Sequence, residues 1–120
     1  MLDVAVEKIA DLAVVECVGR IVRSEAALKL SQAVTSLRDS RIIMLDLSEV
    51  SAIEGGGLGM LLFLHRWAYD RDIRLKLFNP TRYVFNRLER IASIPELDIA
   101  TPEEMRALLA DAGSRFALAV

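Results

Sequence analysis

The 120-residue chain carries few residues that could do chemistry. His65 is its one histidine and Cys17 its one cysteine. A closed structural zinc site takes about four ligands, mostly Cys and His, and this chain cannot supply them. Asp46 and Glu54 flank one apolar run and make no dense site with His65. The pair Glu103 and Glu104 follows Thr101-Pro102, where the dipole of a helix first turn alone attracts acids. The stretch that stands out is SAIEGGGLGMLLFL, residues 51–64, in which a short apolar strand meets three glycines and an apolar helix. Such a turn presents backbone N–H groups and a positive dipole end to whatever approaches. The phosphate-binding patterns are nevertheless incomplete. A Walker loop needs Lys and Ser or Thr after its last glycine, and Gly59 is followed by Met60 and Leu61. The dinucleotide fingerprint fails because Met60 stands three residues after Gly57. The turn holds no serine nucleophile, and His65 falls two turns into the helix. Nothing in this set points to an enzyme or to a bound cofactor.

The elements that position the turn follow from periodicity. LDVAVEKIA and LAVVECVG read as two strands joined at Asp11, an opening hairpin. IVRSEAALKLSQAVTSL shifts to helical spacing, with Ser24 as a cap and Ala27, Leu30, Val34 and Leu37 on one stripe. RIIMLDLSEV is a continuous apolar run between charges, the pattern of a strand buried on both faces. A helix is expected from about Gly57 to Asp70. IRLKLFN is a further strand, stopped at Asn79-Pro80. RYVFNRLERIAS is a short helix and LDIA a last strand. Thr101 caps PEEMRALLADAG, with Pro102 at the first helical position and Gly113 just past the end. This alternation predicts one α/β domain over 1–113, with a mixed, mainly parallel sheet and about four helices, and an apolar tail over 114–120. Ligands and partners of such sheets gather at the carboxyl ends of strands, where Glu54–Gly57 lies.

Composition narrows the function. Hydrophobic residues make up 53% of the chain and charged ones 27%, enough for a core and a soluble surface. The net charge of −2 argues against nucleic-acid binding through a basic face. Arg41, Arg71, Arg74 and Lys76 read as solvated surface. A lone cysteine fits a reducing compartment, and Cys17 within LAVVECV reads as a small buried hydrophobe. The acids at positions 3 and 7 speak against a signal peptide, and the longest apolar run, about ten residues, is too short to span a bilayer. The expected location is the cytoplasm, with no membrane insertion.

IIMLDLSEVSAIEGGGLGMLL resembles the central signature of the STAS domain family, the anti-sigma-factor antagonists and their relatives. In that signature a buried strand ending in D-L-x-x-V leads to Asp, Ser, Ser or Thr, Gly, Leu, Gly and an apolar helix. IRLKLFNPTRYVFNRLERIASIPELDIATPEEMRALL continues the resemblance, which covers about residues 3 to 112. It implies a STAS fold and a non-enzymatic role in bacterial signalling and transcription regulation: binding a histidine-kinase-like anti-sigma factor and releasing its sigma factor, with phosphorylation of the first serine breaking the interface. Here Glu54 takes the Asp position, and Gly55 and Gly56 replace both hydroxyl residues, so the phosphoacceptor is absent. A loop acid common in the family is replaced by Val22. Ser51 stands nearby, but at a strand end. The resemblance also implies that Gly57 and Gly59 are structural glycines closing the turn on the sheet. A second role is a STAS subunit of a lipid or anion transport complex docking on an ATPase, and a third is a small-anion sensor at the glycine turn.

Placed on a helix at about 100° per residue, Leu58, Leu61, Leu62, His65, Ala68 and Tyr69 fall in one sector, the expected core face. Met60, Phe63, Leu64 and Trp67 fall opposite, where exposed apolar side chains mark an interface. Three arrangements accommodate them: contact with a partner or a second copy of the chain, cover by the tail RFALAV, or reversed faces. The expected partner-binding set is Glu54, Gly55, Gly56, Gly57, Met60, Phe63, Leu64 and Trp67.

Overall fold

A computed structural model describes residues 2–22, 24–91 and 97–119. The chain opens with strands β1 (Leu2–Ile9) and β2 (Leu12–Ile21), then alternates helix and strand. The order continues with α1 (Ser24–Thr35), β3 (Ile42–Ile53), α2 (Gly56–Asp70), β4 (Arg74–Phe78), α3 (Arg82–Ile91), β5 (Asp98–Ala100) and α4 (Pro102–Ala119). The five strands form one sheet in sequence order. β1 and β2 pair antiparallel, and every later pair is parallel. The α/β architecture is the one expected from the alternation of periodicities. The expected end of α3 at Ala92-Ser93 lies outside the described residues.

The hairpin turn also starts the central strand. Ala10 takes a positive φ of 54°, and the Asp11 carbonyl accepts from the backbone N–H of Arg41 at 2.8 Å and of Ile42 at 3.3 Å. β3 then runs beside β2 with two slips. Glu16 pairs with Asp46 but Val18 with Glu49, and Gly19 pairs with Val50 but Arg20 with Ala52. Each slip inserts one residue into β3 and reverses which face its side chains meet. As a result Ile43, Leu45, Leu47, Val50 and Ile53 all reach one hydrophobic cluster, with α1, α2 and α3. A period-2 strand without bulges would have turned Val50 to the other face.

The opposite sheet face is smaller. Leu12, Val14, Ile42 and Met44 meet Ala100 and Ala112 there, with Met105, Leu108 and Leu109 of α4 around them. Thr101 and Glu104 form a capping box: the Glu104 N–H donates to Thr101 Oγ1 at 3.1 Å, and the Thr101 N–H donates to Glu104 Oε1 at 3.4 Å. The helix does not stop at Gly113 but runs through it to Ala119. A glycine inside a helix costs about 1 kcal/mol against alanine, too little to end one whose neighbour Ala112 is fully buried. Position 113, expected to divide domain from tail, thus falls within α4. The side chains of the segment expected to cover α2 lie outside the described residues.

Lys76 corrects the expectation of a solvated surface. It alternates with Leu75 and Leu77 along β4, so it points to the α4 face, where it is 3% exposed. Its ammonium donates to Asp98 Oδ2 at 2.8 Å and to Glu104 Oε2 at 3.3 Å, tying the short β5 and the start of α4 to the sheet. Both carboxylates are about half exposed while the ammonium is not. Removing the acids is therefore worse than removing the lysine. Asp98→Asn combined with Glu104→Gln strands a buried charge and is expected to cost about 3 kcal/mol. Lys76→Met leaves two carboxylates that water can reach and is expected to be near neutral. Urea unfolding of the two variants beside the parent measures the difference.

Candidate functional site

The turn Glu54–Gly57 closes at the carboxyl ends of β2 and β3. The Glu54 N–H donates to the Ile21 carbonyl at 3.2 Å, the Gly57 N–H to the Glu54 carbonyl at 3.0 Å and the Leu58 N–H to the Gly55 carbonyl at 3.1 Å. Gly55 stands at the N-cap with φ 54°, ψ −119° and offers no side-chain cap. A Cβ on Gly57 would sit 2.4 Å from the Ile21 carbonyl oxygen and 2.9 Å from the Ile21 side chain. Gly57 is thus the glycine that lets the helix start against the sheet, as expected. Gly59 is not: a Cβ there meets nothing within 4 Å, and the same holds at Gly56.

Gly57 also sets the rotation of α2 and corrects its expected faces. From Gly57, the positions i+3, i+4, i+7, i+10 and i+11 are Met60, Leu61, Leu64, Trp67 and Ala68, and all are buried. Met60 is 8% exposed, Leu64 0% and Trp67 8%. Three residues expected on an outer interface are therefore core. Tyr69, expected in the core, is exposed, and Leu58, Leu62 and His65 are half-buried. Of the outer set only Phe63 stands in solvent, at 53%. Arg71 covers the Trp67 ring with its guanidinium carbon 5.0 Å from the centroid. The physical reason for the error is that α2 is apolar nearly all round, so periodicity alone hardly orients it. The close approach at Gly57 was the signal that could have done so.

Two side chains missed in the sequence complete the turn. The Tyr83 hydroxyl donates to Glu54 Oε1 at 2.7 Å, and Arg87 Nη2 donates to the same oxygen. Arg87 Nε in turn donates to the Tyr83 oxygen at 3.3 Å, and the guanidinium lies over the Tyr83 ring. The Glu54 carboxyl is held below its ordinary value, first by the Tyr83 hydroxyl and then by Arg87. α3 is placed for this by Thr81, whose hydroxyl accepts from the Val84 N–H at 3.3 Å. Glu54 is therefore an ionised, clamped carboxylate. Its charge persists below the range where an ordinary glutamate protonates.

Beside the turn, an open apolar groove of about 600 Å3 runs between α1 and α2. Ala27, Leu28, Gly56, Gly59, Met60 and Phe63 line it, with Ser24, Glu25 and Ser31 at its rim. Leu28 is 58% exposed. The groove exists because Gly56 and Gly59 leave open space where side chains would stand. Of the expected set, then, the structure gathers Glu54, Gly55, Gly56, Gly57, Met60 and Phe63 around one corner, with Met60 as floor. Leu64 and Trp67 are turned away into the core. Val22 is half-buried, and Ser51 is an exposed residue of β3 whose hydroxyl lies 3.4 Å from the Gly19 carbonyl.

The groups with nucleophilic or ligating chemistry lie elsewhere. Cys17 is 2% exposed, and burial and then the Asp46 charge push its thiol up to about 12. It is a packing residue, as its apolar surroundings suggested. His65 is half-buried on α2. Among the described residues no three of His, Cys, Asp and Glu gather as a metal site would require, and no helix is long and apolar enough to cross a membrane.

Two measurements follow from this geometry. Gly57→Ala forces a Cβ into the Ile21 carbonyl and is expected to destabilise by about 2 kcal/mol or more, whereas Gly59→Ala is expected to stabilise by about 1 kcal/mol. Thermal unfolding of both variants compares them. Because the folded Glu54 carboxyl titrates below its unfolded value, its contribution is complete above the ordinary glutamate range and is lost as pH falls through the lowered value. Glu54→Gln is expected to flatten that acid limb of the stability curve, measured against the parent.

No family model matches the chain, and no curated protein matches it. Solved structures do. The anti-sigma factor antagonist SpoIIAA in its unphosphorylated form superposes with a TM-score of 0.74 at 18% identity, over 91% of this chain and 97% of that one. An anti-sigma factor antagonist from Mycobacterium paratuberculosis gives 0.71 at 16% identity, over 98% and 95%. The murine Solute Carrier 26 family member A9 anion transporter, inward-facing, gives 0.61 at 16% identity, over 95% of this chain and 19% of the transporter. The hairpin, the parallel strands and the four helices are thus those of the anti-sigma-factor antagonists, and the chain has the STAS fold.

Proposed function

We propose that the chain is a cytoplasmic, non-enzymatic docking module of the anti-sigma-factor-antagonist type, binding a histidine-kinase-like anti-sigma factor without a phosphoserine switch. The observation that carries this reading is the corner itself. A clamped carboxylate, Glu54, and an exposed aromatic, Phe63, flank a turn at the strand ends, and Gly55 and Gly56 offer no hydroxyl to a kinase. Aromatic side chains that are exposed on one chain and buried on association dominate interface energies. Ser51, the nearest hydroxyl of β3, is held within a strand, where a kinase finds no extended loop. A second reading, a STAS subunit docking on a transporter ATPase through the same corner, is supported by the fold shared with the anion transporter.

The test is direct binding of the purified chain to the histidine-kinase-like anti-sigma factors and transporter ATPases of its own genome. One anti-sigma factor is expected to bind, with the same affinity before and after incubation with ATP and magnesium. Phe63→Asp is expected to weaken that complex at least tenfold, about 1.4 kcal/mol, with thermal unfolding unchanged. ATP-dependent release accompanied by phosphate on Ser51 would overturn the unswitched reading, and binding to an ATPase alone would favour the second.

A further inference from the structure

We infer that the groove between α1 and α2 is seated by a second copy of this chain, with α2 packing antiparallel on its own two-fold mate. On α2 the residues Gly56, Gly59, Phe63, Arg66 and Asp70 are all exposed and fall within a sector of about 80° at about 100° per residue. This one stripe carries a hole and a knob. The hole is the open space at Gly56 and Gly59, where a Cβ meets nothing within 4 Å. The knob is Phe63, 53% exposed and one turn further along.

A two-fold axis beside the midpoint of residues 59 and 63 sets Phe63 of each copy over Gly59 of the other. The same register sets Arg66 over Gly56 of the other copy, next to Glu25, the one charged residue lining the groove among the described residues. Arg66 is free to turn there, because its pair with Asp70 at 3.2 Å joins two side chains that are 77% and 52% exposed and holds them weakly. Shape and charge are therefore complementary twice over, as an isologous interface requires. A small ligand is the poorer occupant. Ligand sites enclose most of their ligand, and this groove is open along its length. A single helix crossing lies at the small end of interface sizes, so the dimer is weak and concentration-dependent. Given the docking function proposed above, it masks the partner-binding corner when the chain is abundant and unengaged.

Sedimentation of the chain alone, from about 10 μM to about 1 mM, reads the association. The parent is expected to pass from monomer to dimer over that range. Gly59→Leu puts a side chain where an added Cβ meets nothing within 4 Å and is expected to abolish the dimer while leaving the melting temperature equal or higher. Arg66→Glu is expected to weaken the dimer at least tenfold, and Glu25→Arg combined with Arg66→Glu to restore it. A parent that stays monomeric throughout overturns the inference, including one whose groove instead takes up an apolar dye or a partner helix. So does a Gly59→Leu variant that dimerises as well as the parent, or a charge exchange that restores nothing. A monomer that still binds its anti-sigma factor leaves the docking function standing, and a dimer that binds none removes that function but keeps the dimer.

Discussion

The backbone of Gly57 lies so close to the Ile21 carbonyl that a single added carbon would stand 2.4 Å from the oxygen. From that contact the geometry of the site unfolds in order. It fixes the point at which α2 leaves the sheet and the rotation at which it lies. Rotation decides that Met60, Leu61, Leu64 and Trp67 go down and that Gly59, Phe63 and Arg66 go up. It therefore decides which part of an almost uniformly apolar helix is core and which is available for contact. The two slips of β3 serve the same end. They bring Val50 and Ile53 to the face on which α2 rests, so the strand end and the helix start share one cluster.

Two ionic arrangements hold the periphery, and they differ in kind. Lys76 is a buried cation between two acids that water reaches, so the desolvation burden falls on one partner only. It fastens the short β5 and the capping box of α4 to a sheet face with a modest apolar cluster. Glu54 and Arg87 are half-buried and Tyr83 is exposed, so water reaches all three and their pairing adds little to stability. Its effect is orientation: it ties α3 to the turn and keeps the carboxylate directed along one line.

The element order, the Thr101 cap of α4 and the burial of Cys17 could be read from the sequence because each rests on local chemistry: period, a cap residue or an apolar neighbourhood; the bond that Glu104 returns to the Thr101 N–H was taken for a dipole effect alone. The extent of α4 could not, since a glycine after a helical run costs too little to end the helix by itself. Lys76 was misread because alternation along β4 says which face a side chain takes, while its burial depends on a helix nearly thirty residues later. The α2 faces were misread because Leu and Met occur on every side and only a tertiary approach breaks the tie. Tyr83 and Arg87 carry no sequence signal toward Glu54; they lie on another helix, and the fold alone brings them to it.

Gly55 holds φ at 54°, in a region that side-chain-bearing residues enter only under strain. A side chain at this position is thus opposed by the conformation of the turn and not by its surroundings, where a Cβ would meet nothing within 4 Å. A serine placed there would strain the turn. Any residue with a side chain needs the backbone of the turn to change with it. One torsion angle thus reserves this corner for glycine: substitution there is opposed by the backbone although the space around it is empty.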